Sequence, residues 1–245
     1  MYIMKVFFLV LFLATSYNSF SQEDLLINYN VNVKINKPSP DEKRSTYVRS
    51  ALNAINDIQL VLYINKEASL FKALEQLDID NSSKFFQRLA RKTLSLNDNY
   101  YIDFIRDISF RETSVGGHSY KVQIDKDKYI WQIFKEKKIV CGYLCFKALT
   151  TRNYIDRNGN KVELEVLAWF SPDLNISSGP KDYSGLPGLI LEIQEGDGLK
   201  ISANKVELIT KDESEFILPN YDDLIDEESF NKIVNKSYEF YMDKN

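Results

Sequence analysis

Histidine is almost missing from this sequence: among 245 residues there is one, His118. A zinc site with several histidine ligands is therefore excluded. A Ser/His/Asp or Cys/His mechanism must use His118 or do without imidazole. Cysteine is nearly as scarce, with Cys141 and Cys145 alone, so the chain is not a disulfide scaffold. Val140–Phe146 reads as a strand, which would put the two thiols on one face about 13 Å apart, too far to bridge. Free, buried thiols are expected. There is no G-x-S-x-G elbow, P-loop, H-E-x-x-H, dinucleotide fingerprint or EF-hand loop. A strong excess of one charge is lacking too: 31 Lys and Arg stand against 35 Asp and Glu. An acidic balance of this size gives no electrostatic footprint for nucleic acid. Carboxylate chemistry stays open on composition. What the chain does have is aromatic material, 15 Tyr, 15 Phe and 2 Trp, which is ample for a core and excludes global disorder.

The amino terminus carries one charge, Lys5, before the nine-residue apolar run Val6–Ala14. That run is too short to span a bilayer stably. Polar residues and the small-x-small string Ser19-Phe20-Ser21 follow, the order of a secretory signal peptide cut after Ser21. Residues 1–21 are thus expected to be a signal peptide and 22–245 a single mature domain, with 100–210 as its β core. No Cys follows the cut, so a lipoprotein anchor is not supported, and no later stretch is apolar enough for a transmembrane helix. The mature chain holds 30 basic against 35 acidic residues. Most of the excess lies in 211–245, an acidic helical tail with ten Asp and Glu against four Lys.

Leu25–Ile35 alternates as a half-buried strand. Ser39, Pro40 and Glu42 form a helix start of capping-box type, and an apolar stripe from Tyr47 to Ile55 predicts a helix over 41–55. Asp57–Ile64 alternates again. A short helix fits Ser83–Lys92, with Phe85, Phe86, Leu89 and Ala90 inward and a basic face of Lys84, Arg88, Arg91 and Lys92. From Tyr100 to Thr210 the signals are strand and turn: 100–106, 108–113, the Gly116-Gly117 turn, 118–124, 129–134, a charged turn over Lys135–Lys138, 139–151, the Asn158-Gly159 turn, 162–170, 188–194 and 199–209. Asp226 can cap a last helix over 226–242, with Phe230, Ile233, Val234, Ser237 and Tyr241 on one stripe. The expected fold class is α+β, mainly antiparallel β: a curved meander sheet with flanking helices.

One segment is unusual. Gly179-Pro180 and Gly185-Leu186-Pro187-Gly188 bracket Lys181-Asp182-Tyr183 immediately before the apolar strand Leu189-Ile190-Leu191. Pro187 and Gly188 fit the central positions of a type II turn, where Gly188 would have positive φ. Two rigid corners would then present Lys181, Asp182 and Tyr183 beside Trp169, on an exposed loop suited to binding. A corner whose glycines serve geometry alone is the other reading. The string Gly185–Ile190, together with Tyr129-Ile130-Trp131, Lys138-Ile139, Cys141–Ala148 and Ala168-Trp169-Phe170, resembles the GLPGLI family of Bacteroidetes envelope proteins. The resemblance covers roughly residues 100–210. It implies export to the periplasm, the outer-membrane periphery or the outside, and a fold similar to the curved-sheet lipoprotein carriers of the LolA kind. It implies no activity.

Two classes of function follow. The first is a non-enzymatic exported protein binding a hydrophobic, lipid-like ligand, a peptide or an outer-membrane partner on its curved sheet. Its binding residues would be Trp169, Lys181, Asp182 and Tyr183, framed by Gly179, Pro180, Gly185, Leu186, Pro187 and Gly188. The second is a secreted hydrolase of unfamiliar type, using carboxylates near the 171–188 loop. Trp131 and Trp169 occupy strand positions open to core packing or a ligand platform. Glu163 and Glu165 share a sheet face and suit a solvated surface, and a Cys145–His118 dyad is conceivable. No metal or other cofactor is called for.

Overall fold

A computed structural model of the chain describes residues 24–34, 54–74, 81–155, 160–210 and 216–242. The elements run β1 (Asp24–Val33), β2 (Gln59–Ile64), β3 (Ala68–Ala73), α1 (Asn81–Thr93), β4 (Asn99–Asp103), β5 (Ile108–Val115), β6 (His118–Ile124), β7 (Gln132–Val140), β8 (Tyr143–Ile155), β9 (Lys161–Ser171), β10 (Leu189–Glu195), β11 (Leu199–Ile209) and α2 (Glu227–Met242). The proposed signal peptide, most of the 41–55 helix and the Asn158-Gly159 turn lie outside the described residues. Residues 54–56 form a helical turn, with Ala54 and Ile55 buried.

Among the described residues the strands join one 11-stranded sheet in the order β6-β5-β4-β3-β2-β1-β11-β10-β9-β8-β7, and every neighbouring pair is antiparallel. The sheet is two meanders joined along β1 and β11. Period-two patterning explains the strands: in β1, Ile27, Tyr29 and Val31 are buried while Asn30 and Asn32 face water.

The connectivity forces the sheet to curl. β6 and β7 are its opposite edges, yet only eight residue steps separate Ile124 from Gln132. Those steps reach about 28 Å at most, whereas ten flat strand spacings would need about 48 Å. The curl is strongest at the β7 end, where β7 touches β11 across three intervening strands. The concave side holds the main core, including Tyr29, Phe71, Tyr100, Phe170, Ile193 and Ile201.

The two edges are treated differently. Ile225 caps β6 by a parallel bridge: Gln123 N–H donates to the Ile225 carbonyl (2.8 Å) and Ile225 N–H to the Lys121 carbonyl (3.0 Å). Asp226 then caps α2 through Ser229 N–H (2.6 Å), and Phe230 packs on Tyr120, with ring centroids 5.9 Å apart. Upstream, Phe216 covers Tyr101 and Phe110 in a second apolar cluster on the other face of the sheet. Among the described residues no segment pairs with the outer side of β7.

Three expectations are corrected. Lys135–Lys138 is not a turn but the middle of β7, bent by a register shift between Ile133 and Lys137. An edge strand with water on one side tolerates that charge. The reversal falls instead at Cys141-Gly142, whose φ values of 51° and 85° belong to a type I′ hairpin, so Cys141 sits in a turn and only Cys145 is fully buried. Helix α1 is rotated by about one residue: Gln87 and Ala90 face inward while Phe85 and Leu89 are exposed, with the Arg91 guanidinium held on the Leu74 carbonyl.

Candidate functional site

The 172–188 segment is not an exposed loop. It leaves β9, crosses the concave side of the sheet and returns to β10. Ser178 Oγ meets Ser69 Oγ of β3 at 3.0 Å, and Ile190 N–H donates to the Ser178 carbonyl (2.9 Å). Leu174 and Ile176 pack against the main core, while Tyr183 and Leu186 are buried within it. Much of the concave face is therefore covered by the chain's own side chains.

The corner before β10 also differs from a type II turn. Gly188 N–H donates to the Leu186 carbonyl (2.8 Å), a three-residue turn about Pro187, and Leu189 N–H turns to the Leu174 carbonyl (2.9 Å). Gly188 has φ 152°, positive as expected, although a type II turn wants a value near +80°.

Lys181, Asp182 and Tyr183 are brought together, but inward. Tyr183 N–H closes a turn onto the Pro180 carbonyl (3.3 Å), and Lys181 takes the left-handed φ of 58°. That conformation costs a non-glycine residue on the order of 1 kcal/mol. It turns the Lys181 side chain into the protein, where it is 1% exposed. Its ammonium lies 2.6 Å from Glu195 Oε1, which also accepts from the Tyr183 hydroxyl at 2.9 Å and pairs with Arg152 at 3.3 Å. Asp182 Oδ2 receives Lys128 at 2.6 Å and the Tyr129 hydroxyl at 2.9 Å. The Trp131 indole N–H donates to the Ser184 carbonyl (2.8 Å), and the Tyr183 ring packs on Tyr129 with centroids 4.8 Å apart. The 128–131 linker between the two sheet edges is thus bolted to this segment. Trp169 is elsewhere: it is half-buried on β9 beneath Lys138, 4.5 Å from the ring centre, so Trp131 rather than Trp169 meets Tyr183.

The electrostatics are those of a sealed ion network. Burial pushes the Asp182 carboxyl up, but Lys128 and Arg152 outweigh it and hold it down at about 2. Burial pushes the Lys181 ammonium below its usual range, against the pull of Glu195. Burial raises the Tyr183 hydroxyl far beyond its usual range, with Glu195 adding to the effect. Such a network is costly to break one member at a time. Two described clefts have other linings. One of about 740 Å³ lies between Arg88 and Lys92 of α1 and Asp98, Glu112 and Ser119. Another of about 440 Å³ is lined by residues that include Leu25, Ile64, Phe104 and Ile176.

A pH dependence follows from Asp182. A carboxylate held below its unfolded value adds stability above that value and loses it as pH falls toward the folded one. The loss here falls between about pH 4 and pH 2 and amounts to about 2 kcal/mol. Urea unfolding across that window should show it. Asp182→Asn should be less stable at neutral pH and lack this decrement; an unchanged pH profile would refute the role.

His118 is exposed at the start of β6, while Cys145 is fully buried and its thiol faces the Tyr143 carbonyl (3.6 Å), so no thiol–imidazole pair forms. Burial pushes the Cys145 thiol up to about 11, the mark of an inert thiol. Both cysteines are free. Glu163 and Glu165 are exposed. Among the described residues no three His, Cys, Asp or Glu gather as a metal site, and no helix is long and apolar enough to cross a membrane. In the sequence Lys128, Tyr129, Arg152 and Glu195 carry no mark of a site beyond the nearby Tyr129-Ile130-Trp131 string.

Fold and site together define an antiparallel-sheet protein whose concave side is crossed by its own segment. Residues 155–192, spanning β9 and that segment, match the family described as "Protein of unknown function (Porph_ging)". No curated protein matches the chain. Two solved structures of PNGF-II are similar to it. The form in space group C2 has a TM-score of 0.54 at 15% identity, covering 88% of this chain and 33% of that one. The form in P21 has a TM-score of 0.54 at 16% identity, covering 88% and 34%. The chain spans about a third of the length of these structures, and at such identity the likeness concerns the fold alone.

Proposed function

We propose that this chain is an exported, non-enzymatic binding protein that holds its partner at the β7 edge of the curved sheet. The observation that carries the reading is a gathering of exposed apolar side chains there. Ile130 is 88% and Ile139 64% exposed, with Ile133 and Leu144 also open to water. Ile139 and Leu144 stand directly opposite each other in the β7–β8 ladder. Exposed apolar side chains concentrated in one place mark interaction surfaces, whereas single scattered ones do not. The carboxylates near the 171–188 segment give the hydrolase reading little support: Asp182 and Glu195 are locked to cations, and buried Glu192 is held by Lys138 and Lys200.

Export rests on the order Lys5, apolar run, Ser19-Phe20-Ser21, and the resemblance to the GLPGLI envelope family agrees with it. The test is recovery of partners from the envelope fraction of the native cell, with mass spectrometry of proteins, lipids and the bait's own amino terminus. The bait should begin at Gln22. Ile133→Ser/Ile139→Ser should lose the partner that the unaltered protein retains, at an unchanged melting temperature. Equal recovery by both would remove the β7 edge as the binding surface.

A further inference from the structure

The occupant of this edge can be narrowed, an inference that rests on the β7 reading above. We infer that β7 takes an extended, acidic peptide segment as an additional strand. Among the described residues β7 is the last strand of the sheet and pairs on one side, with β8. Alternate residues along it direct backbone N–H and C=O groups away from β8, leaving half a ladder unmade. An added strand gains main-chain hydrogen bonds there, and side-chain pockets set its specificity. The opposite edge has no such vacancy, because Ile225 and α2 already cover β6.

Charge selects among possible strands. β7 carries Lys135, Lys137 and Lys138 against Glu136. Lys138 is neutralised by Glu192 and Glu136 by Lys147. Lys135 and Lys137 form no ion pair among the described residues; Lys137 rests over the Phe146 ring at 4.9 Å. These two exposed cations disfavour pairing of β7 with a second copy of itself, since antiparallel self-pairing brings lysines together. The register shift between Ile133 and Lys137, a bulge, bends the edge for any incoming strand alike. Edge protection alone would be served by the lysines and the bulge. It does not account for Ile130 and Ile133 before them or Ile139 after them, all exposed. A segment alternating carboxylates with β-branched side chains answers both features.

Fluorescence anisotropy of the purified protein with labelled ten-residue peptides tests this. The probes are five repeats of Glu-Val, five repeats of Lys-Val, and the Glu-Val peptide N-methylated at alternate residues. The Glu-Val peptide should bind at least about tenfold more tightly than Lys-Val, with affinity falling as salt rises. N-methylation should abolish binding, because it removes the donors of the added strand. Lys135→Glu/Lys137→Glu, which alters exposed side chains only, should reverse the preference. Equal affinity for both charged peptides overturns the inference, as does an N-methylated peptide that binds like its parent. Sedimentation as a dimer that Lys135→Glu/Lys137→Glu alters would also overturn it, assigning the edge to a second copy. If the envelope partner is retained while neither peptide binds, the acidic-strand inference falls and the binding reading stands.

Discussion

Tyr183→Ala should destabilise the protein by about 3–5 kcal/mol, the range for deleting a buried aromatic side chain. The ring is fully buried, packs on Tyr129 with centroids 4.8 Å apart, and meets Trp131 edge-on at 6.3 Å. Its loss opens a cavity where the 128–131 linker is fastened to the 172–188 segment. It also takes one donor from Glu195, which is held by Lys181 and Arg152. Tyr183→Phe separates the two effects. It keeps the ring, removes the hydroxyl, and should cost only about 1.5–3 kcal/mol, as for a hydrogen bond to a charged group. Urea unfolding of both variants at pH 7 measures the difference. If Tyr183→Ala falls within about 0.5 kcal/mol of the parent, a value typical of surface changes, the buried placement is wrong.

The second large effect is expected at Gly188. A Cβ there would stand 2.3 Å from the Ser171 carbonyl oxygen and 2.9 Å from the Pro172 Cα, both backbone atoms with little room to move. Its φ of 152° adds strain for any side chain. Overpacking and backbone strain each cost about 1–3 kcal/mol, so Gly188→Val should lose about 4 kcal/mol, enough to compromise folding. Gly188→Ala should already be severe, because the clash begins at Cβ. Gly198→Ala serves as the control: its Cβ would meet nothing within 4 Å. Soluble yield and thermal melting of the three variants decide it; a Gly188→Ala protein that melts with the parent would show that the corner can relax.

Much of the sheet is legible residue by residue. β11 runs over Leu199–Ile209 as its alternation predicts, β6 begins at His118 after the two-glycine turn, and Asp226 caps α2. β7 is not legible, because an edge strand faces water and its lysines imitate a loop. The β7–β8 turn is hidden because cysteine is not a turn-forming residue, yet Cys141 carries a positive φ. Nothing local marks Lys181 as buried. Lysine is buried only with a partner, and Glu195 lies fourteen residues away in another element, with no periodic relation to it. The face of α1 is legible only to within one residue because its apolar pairs admit two neighbouring faces, and the Arg91–Leu74 contact that settles the choice is tertiary.

The β1–β11 ladder governs how the chain can fold in time. Its register joins Asp24 to Ile209 and Val33 to Leu199, which are 185 and 166 positions apart, whereas Ile155 and Lys161 of the β8–β9 hairpin are six apart. Loop-closure entropy rises by about 0.6 kcal/mol per doubling of loop length, so sealing this seam costs about 3 kcal/mol more than closing that hairpin. The two meanders can form early from local contacts, and the seam closes last and slowly. Until β11 emerges, β1 offers an unpaired flank to any neighbouring chain, which makes the interval before sealing the period of greatest aggregation hazard. Pulse-labelled hydrogen exchange during refolding should protect β8–β9 amides before those bridging β1 and β11; simultaneous protection would mean that the two meanders do not form independently.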